Sequence, residues 1–481
     1  MIDYHSLRDF IAAAERLGET RTLHGASWDL ELACINQITA EQRGPLLVFD
    51  DIPGHARGFR VATNVMTSLA RTRLALGLDQ SLGPVQVLDQ WRKMLRRIEP
   101  VAPMEVPDAP IRQNVLTGDA VDLTRFPLPR WHPADGGRYV NTGGLIITRD
   151  PDEGWINCAI NRGMLVGPNE VGLQIGAAGQ NSTIVLKYRS RRQPCPVAIA
   201  LSPDPILMIA GGFKVPWGQS EYEFAGGLRK HPVPVTMGVA TGLPVPAAAE
   251  IVLEGEIEPG ASCDEGPFGE WTGYITGSYK KEGGFPHLLR VKSVMFMDDP
   301  ILLGVRPLKP PAPWYAVVPI TQAAGIWNQL EAGGHRGVKA VWTHLLESFG
   351  AVWTVIAVEQ LYKGHAKEVG LAATVCPAAN GWGAFTIVVD DDVDVTNLEE
   401  VLWTLAMRCR LERDVHVVSG VRSSSLFPWV TEEERREGRV TGSRLVFDAC
   451  KDFDRKDSYP PVNEFDAQFR ADVAEKWRLL D

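Results

Sequence analysis

Apolar residues at Leu7, Phe10, Ile11, Ala14 and Leu17 recur every three or four positions, so the chain is predicted to open with a helix. Ser6 can cap that helix, with Asp9 three residues on. A mixed helix and strand stretch follows to about residue 110, where Pro103, Pro107 and Pro110 form a linker-like passage. From 112 to 308 the pattern changes to short strands broken by Gly and Pro. Strands are predicted at 143–148 and 155–164, joined by the turn Asp150-Pro151-Asp152-Glu153-Gly154, and again at 183–188, 197–201, 236–240, 250–256 and 287–297. Many strands with little helix between them suggest a barrel or sandwich-like middle region. After Pro310-Pro311-Ala312-Pro313, helices are predicted at 321–329 and 338–347 and a buried strand at 385–389. Thr396, with Glu399 three later, is predicted to cap a helix carrying Leu398, Val401, Leu402 and Leu405. Alternating strand and helix reads as α/β. The expected division is 1–111, 112–308 and 309–481.

Composition narrows the class. A chain of 481 residues is too long for one core. With 45% hydrophobic and 22% charged residues it is an ordinary globular protein. A net charge of −10 argues against a nucleic-acid binder. No apolar run reaches membrane-spanning length, and Met1-Ile2-Asp3-Tyr4-His5 does not read as a secretory signal, so a cytoplasmic protein is expected. The seven cysteines are dispersed with no C-x-x-C pair, as in reduced thiols. The charge run at 432–437 reads as a solvated helix face.

Common catalytic signatures are missing. There is no G-x-x-x-x-G-K-[ST] loop, no G-x-S-x-G elbow and no H-E-x-x-H helix, and Gly211-Gly212 does not continue into a dinucleotide fingerprint. Four patches remain. In Glu265-Gly266-Pro267-Phe268-Gly269-Glu270, a Gly/Pro turn can fold two carboxylates toward one pocket, which neither a straight strand nor a helix would do. Two nearby acids in different environments can serve as acid and base. In Trp155-Ile156-Asn157-Cys158-Ala159-Ile160-Asn161-Arg162, Asn157 offers an amide oxygen to a divalent cation and Arg162 a fork for carboxylate or phosphate. Trp155, Asn157 and Asn161 would share one strand face and Arg162 the other, so the strand must bulge or end between them if both line one site. Alone, that stretch fits a plain strand with an edge arginine equally well. Gly179-Gln180-Asn181 supplies amide side chains, or is simply a polar turn. Ser220-Glu221-Tyr222-Glu223 supplies two carboxylates at a helix start, metal-binding or solvated.

Taken together, these patches resemble the UbiD family of reversible decarboxylases. The resemblance runs in order through most of the chain, strongest from Trp155 to Pro307 and from Val388 to Arg408. It is carried by Trp155-x-Asn157-x4-Arg162, Ser220-Glu221-Tyr222-Glu223-Phe224-Ala225-Gly226, Glu250-Ile251-Val252-Leu253-Glu254-Gly255, Glu265 to Glu270 with Gly273-Tyr274, and Val388-Val389-Asp390-Asp391-Asp392-Val393-Asp394-Val395. The resemblance implies an α+β, α/β multidomain fold. A central split-barrel-like domain would bind prenylated FMN, flanked by an N-terminal α/β region and a C-terminal α/β oligomerisation domain. By the same resemblance, Arg162, Glu265 and Glu270 match a catalytic network. Asn157, Ile160, Asn161, Arg162, Gln180, Asn181 and Glu221 match cofactor contacts. Asn157, Glu221 and Asn181 match positions around a divalent ion, usually manganese. Trp155 and Glu221, with main-chain groups near Ala210, match a potassium site.

The implied activity is non-oxidative decarboxylation of an aromatic or heteroaromatic acid, of the indole, pyrrole or furan carboxylate type, through a covalent substrate adduct with prenylated FMN. Glu270 would donate the proton. A flavin prenyltransferase would supply the cofactor, and a homodimer or homohexamer is expected. The aromatic and basic stretch from Val305 to Trp314, with Phe427, is expected to line the substrate pocket. The chain departs from the family pattern at Asn181, where some members have a histidine, and at Gly383-Ala384-Phe385, where a lysine is frequent. The alternatives are a carboxylase acting on a phenolic substrate, a carboxylate-pair glycoside hydrolase, and a non-catalytic assembly subunit.

Overall fold

The computed structural model describes residues 2–176, 179–213, 215–276, 278–307, 309, 317–344, 353–379, 383–437 and 440–478. Its centre is a nine-stranded sheet, antiparallel throughout. The strands run Tyr139–Asn141, Gly163–Gly167, Glu170–Leu173, His287–Phe296, Ile251–Ser262, Cys195–Ala200, Leu145–Arg149 and Ile156–Ile160, with Asn114–Thr117 also paired to His287–Phe296. Ile156–Ile160 therefore stands six places from Gly163–Gly167 in the sheet. In a flat sheet that separation is about 29 Å. The chain crosses between these two strands through Asn161 and Arg162 alone, a reach of about 11 Å at full extension. The sheet is therefore curled into a half-barrel, and its two margins meet at that joint.

Alternation fills both faces of the sheet. Ile146, Val197, Ile199, Ile251 and Leu253 join one buried cluster; Leu145, Ile147, Ala198, Ala200 and Val252 join the other. Neighbours along a strand point to opposite faces, so helices must cover the side of the sheet that would otherwise face water. Leu7–Arg16 is the predicted first helix, with the Ser6 hydroxyl accepting from the Asp9 N–H at 3.1 Å.

Two smaller sheets flank the half-barrel. The N-terminal one orders Thr20–His24, Leu46–Asp50, Arg60–Thr63 and Ile301–Leu303, so the chain leaving the barrel returns to the N-terminal region. The C-terminal one orders Val338–His344, Trp353–Val358, Phe385–Asp390, Thr441–Asp448 and Val415–Arg422, parallel in its centre and antiparallel at both edges. Helix Val317–Ala332 ties the ends of the molecule together: Glu331 pairs with Arg92 and Arg96 of the N-terminal region at 2.9 and 2.6 Å.

Several expectations are corrected. Residues 183–188 lie in helix Gln180–Ser190, not a strand. Asn181, Ser182, Ile184 and Val185 are buried while Thr183 and Leu186 face outward, and that period of 3.6 outweighs the β-branched run. Residues 338–344 form a strand where a helix was expected, because pairing with Trp353–Val358 satisfies their backbone; 345–347 lie outside the described residues. The 236–240 strand ends at Met237. Val239, Ala240 and Thr241 donate their N–H groups to the buried Glu254 carboxylate instead. The helix at Leu398–Arg408 is capped by Asn397, one residue after Thr396.

Asn141 pins the joint. Its amide accepts from the Gly144 N–H at 2.7 Å and donates to the Gly144 and Asn161 carbonyls at 3.1 and 2.8 Å. Asn141→Ala should lower stability by about 2–4 kcal/mol, because it leaves these buried backbone groups unpaired. Urea unfolding measures this, and an unchanged midpoint would contradict the account.

Candidate active site

The turn between the two acids is built from local rules. Glu265 exchanges backbone hydrogen bonds with Tyr279 at 2.9 and 2.8 Å. Gly266 takes φ of +85°, a conformation that costs glycine little. Phe268–Gly269 pairs with Ile275–Thr276, and the Glu270 N–H donates to the Tyr274 carbonyl at 2.8 Å. The chain thus reverses between Glu265 and Glu270, and both carboxylates meet one guanidinium.

That guanidinium is Arg162, at the joint of the half-barrel. Its Nε and Nη2 donate to the two oxygens of Glu265 at 2.9 and 2.8 Å, and its Nη1 donates to Glu270. The fork-on-carboxylate geometry is the strong, directional form of this pair. Glu265 and Glu270 are 1% and 2% exposed, so the group is screened little by water. Burial by itself would lower the Arg162 proton affinity. The charges of Glu270 and Glu265 outweigh it and raise it, so the guanidinium stays charged. Its face lies over the Phe268 ring at 4.8 Å. Two acidic side chains thus share one buried guanidinium.

Behind it, the Tyr139 hydroxyl donates to Glu265 Oε1 at 3.0 Å. Burial, and then the Glu265 charge, raise the Tyr139 phenol above its ordinary value, so it stays a donor. Asp135 accepts from the Gly269 N–H at 3.1 Å, and Gly136 donates to the Pro267 carbonyl at 2.8 Å. Tyr139, Tyr279, Asp135 and His132 escaped the sequence reading. The Pro133-Ala134-Asp135-Gly136-Gly137 stretch signals a turn there, but nothing local says that the turn meets residues more than a hundred positions on.

The second group gathers on strand Ile156–Ile160. Asn157 Nδ2 donates to Asn181 Oδ1 at 2.6 Å, and Thr148 donates to the same oxygen at 2.8 Å. Asn181 sits in the first turn of its helix and is fully buried. Its oxygen is taken up by these two donors, whereas Asn157 Oδ1 is buried with no donor among the described residues. Trp155 Nε1 is likewise buried without an acceptor among the described residues. Glu221 accepts the Cys158 N–H at 2.7 Å, which places its carboxylate beside Asn157 on the strand. Burial pushes the Glu221 carboxyl up to about 7, against the opposing pull of its backbone donors. Glu221 and Glu223 begin helix Glu221–Arg229; Glu223 serves in its capping box, so only Glu221 is turned to the sheet. Asn161 Oδ1 lies 3.4 Å from Asn181 Nδ2. Ile160 ends the strand beside Gly211 and Gly212, and Gln180 donates to the Val215 carbonyl at 3.1 Å. The expected site residues thus lie on the joint, on or just before the strand leading into it, on the turn of residues 265–270, or on the helices that begin at Gln180 and Glu221. Of the expected substrate wall, Leu308 and residues 310–316, Trp314 among them, lie outside the described residues, and Phe427 stacks on Trp429 at 5.5 Å. Among the described residues no three His, Cys, Asp or Glu side chains gather to hold a metal, so any ion here would rest on amide oxygens and one carboxylate.

Comparison with known proteins now decides the family. Residues 104–310 match the 3-octaprenyl-4-hydroxybenzoate carboxy-lyase Rift-related domain, 316–449 its C-terminal domain and 11–91 its N-terminal domain. The chain belongs to the UbiD family. It is a carboxy-lyase of that family. It is 30% identical to a pyrrole-2-carboxylic acid decarboxylase of Pseudomonas aeruginosa, over 97% of this chain and 93% of that one. It is 32% identical to a phenolic acid decarboxylase of Streptomyces sp. strain D7, over 88% and 89%. Among solved structures, the UbiD-class enzyme HmfF from Pelotomaculum thermopropionicum, in complex with FMN, matches with a TM-score of 0.85 at 24% identity, covering 98% of this chain and 100% of that one. An evolved dimeric form of the same enzyme, in complex with prFMN, matches at 0.79 and 23%, covering 96% and 97%. These structures carry the UbiD fold to this chain. No helix among the described residues is long and apolar enough to cross a membrane.

Tyr139→Phe removes one donor from a carboxylate oxygen that stays buried. Stability should fall by about 1–3 kcal/mol, read from urea unfolding, with no loss of compactness. A variant as stable as the parent would show that the Tyr139 bond does not hold Glu265.

Proposed function

We propose that this UbiD protein removes CO2 from an aromatic or heteroaromatic carboxylic acid, with prenylated FMN as cofactor and Glu270 as proton donor. The observation that carries the reading is the buried Arg162 fork between Glu265 and Glu270. The donor set also fits a phosphate-bearing flavin clamped by a divalent ion. Asn157 Oδ1 is a buried oxygen lacking a donor among the described residues, and the Glu221 carboxylate is hydrogen-bonded to the same stretch of strand. Hard oxygen donors of this kind, few in number, suit an ion whose shell is completed by phosphate. Asn157 and Glu221 would hold Mn2+, with Asn181 orienting Asn157, and Glu221 with main-chain groups at Trp155 and Ala210 would hold K+. Ile160, Asn161, Arg162 and Gln180 would border the flavin.

Losing CO2 from a ring carbon leaves an electron pair with nowhere to go, and prenylated FMN, when bound, supplies the sink for it. The chain's own residues place the substrate and move the proton. Arg162 holds the substrate carboxylate near Glu270 until CO2 leaves. Glu270 then gives its proton to the vacated ring carbon, and takes it back in the reverse, carboxylating direction. Glu265 grips two nitrogens of Arg162 and keeps the fork pointing one way. The intact network argues against a non-catalytic assembly subunit, and no role falls to Asn157 or Glu221 in a glycoside hydrolase.

The relationship to a pyrrole-2-carboxylate enzyme along nearly the whole chain makes a five-membered nitrogen heteroaromatic acid the first substrate to test, followed by indole, furan and phenolic acids. A flavin prenyltransferase would supply the cofactor, and the protein would work in the cytoplasm as a homodimer or homohexamer.

Protein co-expressed with a flavin prenyltransferase should be coloured and release CO2 from pyrrole-2-carboxylate or a related acid. Glu270→Gln should lose this activity by at least about 100-fold while its flavin absorption is unchanged. Full turnover by that variant would remove Glu270 from the role of proton donor.

A further inference from the structure

His132 takes no part in the network just described, yet it touches the turn that carries Glu270. The ring lies flat against Gly269: a Cβ there would fall 2.4 Å from His132 Cε1 and 2.5 Å from Nδ1. Only glycine admits such an approach, and Gly269 immediately precedes Glu270. Both ring nitrogens are engaged. Nδ1 lies 3.2 and 3.3 Å from the two oxygens of Asp135, and Nε2 lies 3.0 Å from the Pro307 carbonyl. A carbonyl oxygen only accepts, so Nε2 carries a hydrogen.

Asp135 is anchored in turn. It accepts from the Trp131 and His132 N–H groups at 3.2 and 2.8 Å and from the Gly269 N–H at 3.1 Å. Its side chain is fully buried and that of His132 nearly so. On the far side of Pro307, Arg306 is buried and donates to the Ala33 carbonyl and Gln37 at 3.2 and 3.0 Å, fixing that stretch to helix Glu31–Glu41. Three segments distant in sequence therefore meet at one imidazole.

We propose that His132 and Asp135 form a positioning pair that locks the Glu270 turn to the Val305–Pro307 segment and so fixes where the acid's proton is delivered. The inference rests on Glu270 as proton donor and adds the device that holds it still. Asp135 holds the backbone on the N-terminal side of Glu270, and the Tyr274 carbonyl holds the amide of Glu270 itself. Without the imidazole bridging Asp135 and Pro307, the turn keeps its own hairpin bonds but is no longer tied to the rest of the pocket. A shift of about 1 Å in a catalytic group costs roughly 100-fold in rate.

The test compares flavin-loaded wild type, His132→Phe and His132→Gln. His132→Phe keeps a flat ring against Gly269 but has no polar atom for Asp135 or Pro307. His132→Gln restores one donor. Two readouts are taken: amide hydrogen exchange of the 265–276 peptide, and kcat and KM on pyrrole-2-carboxylate. Faster exchange in His132→Phe, a kcat lower by about 10- to 100-fold with KM little changed, and partial recovery of both in His132→Gln are expected. Exchange equal to wild type in a folded His132→Phe would overturn the pair, as would a kcat within about twofold of wild type or a defect confined to KM. If wild type binds flavin but decarboxylates none of the acids, the proton-donor reading fails, and exchange alone then decides whether the pair locks the turn.

Discussion

The structure depends on one short connection. Asn161 and Arg162 join two strands that stand six places apart in the central sheet, and two residues can do this only if the sheet curls until its margins meet. The closure is what puts a cation in the interior. An arginine at an ordinary strand edge would extend into water, where its salt bridges would be worth little. At this joint it is walled by the barrel and by the turn of residues 265–270, and its charge must be met inside the protein.

That demand explains the neighbourhood. An unpaired buried guanidinium costs several kcal/mol, and an unpaired buried carboxylate as much. Glu265, with Tyr139 behind it, satisfies the fork in a fixed orientation. Glu270 meets the remaining nitrogen. Glu265 is held by two arginine nitrogens and a tyrosine, and under the proposed mechanism Glu270 is the acid that exchanges a proton with the substrate. The same joint leads back along the strand to Asn157, and the Cys158 amide of that strand holds Glu221, so the oxygen donors proposed for a cation lie on the strand that runs into Arg162 or are bonded to it.

Much of this was legible from the chain. The Gly-Pro-Phe-Gly turn announces a reversal that brings its flanking acids together, and both of them close on Arg162. The break between Asn157 and Arg162, required if both were to line one site, is the joint itself. The UbiD resemblance was readable in ordered motifs, and the family comparison bears it out. The features that local pattern did not reveal are set by tertiary packing. Residues 183–188 look like a strand by composition, but burial at every third or fourth position makes them helical. Residues 338–344 show helical spacing, yet strand pairing claims them. Tyr139, Asp135 and His132 act on a turn more than a hundred residues away, and no local pattern reports such a contact.

The central claim is that the Glu265–Arg162–Glu270 cluster moves a proton to and from one ring carbon when the flavin is bound. The most direct measurement is exchange of the C2 hydrogen of pyrrole for solvent deuterium in the absence of CO2, followed by NMR. Flavin-loaded protein should exchange that hydrogen selectively, and flavin-free protein should not. Absence of exchange in protein whose spectrum shows bound flavin, or equal exchange by flavin-free protein, would contradict the account.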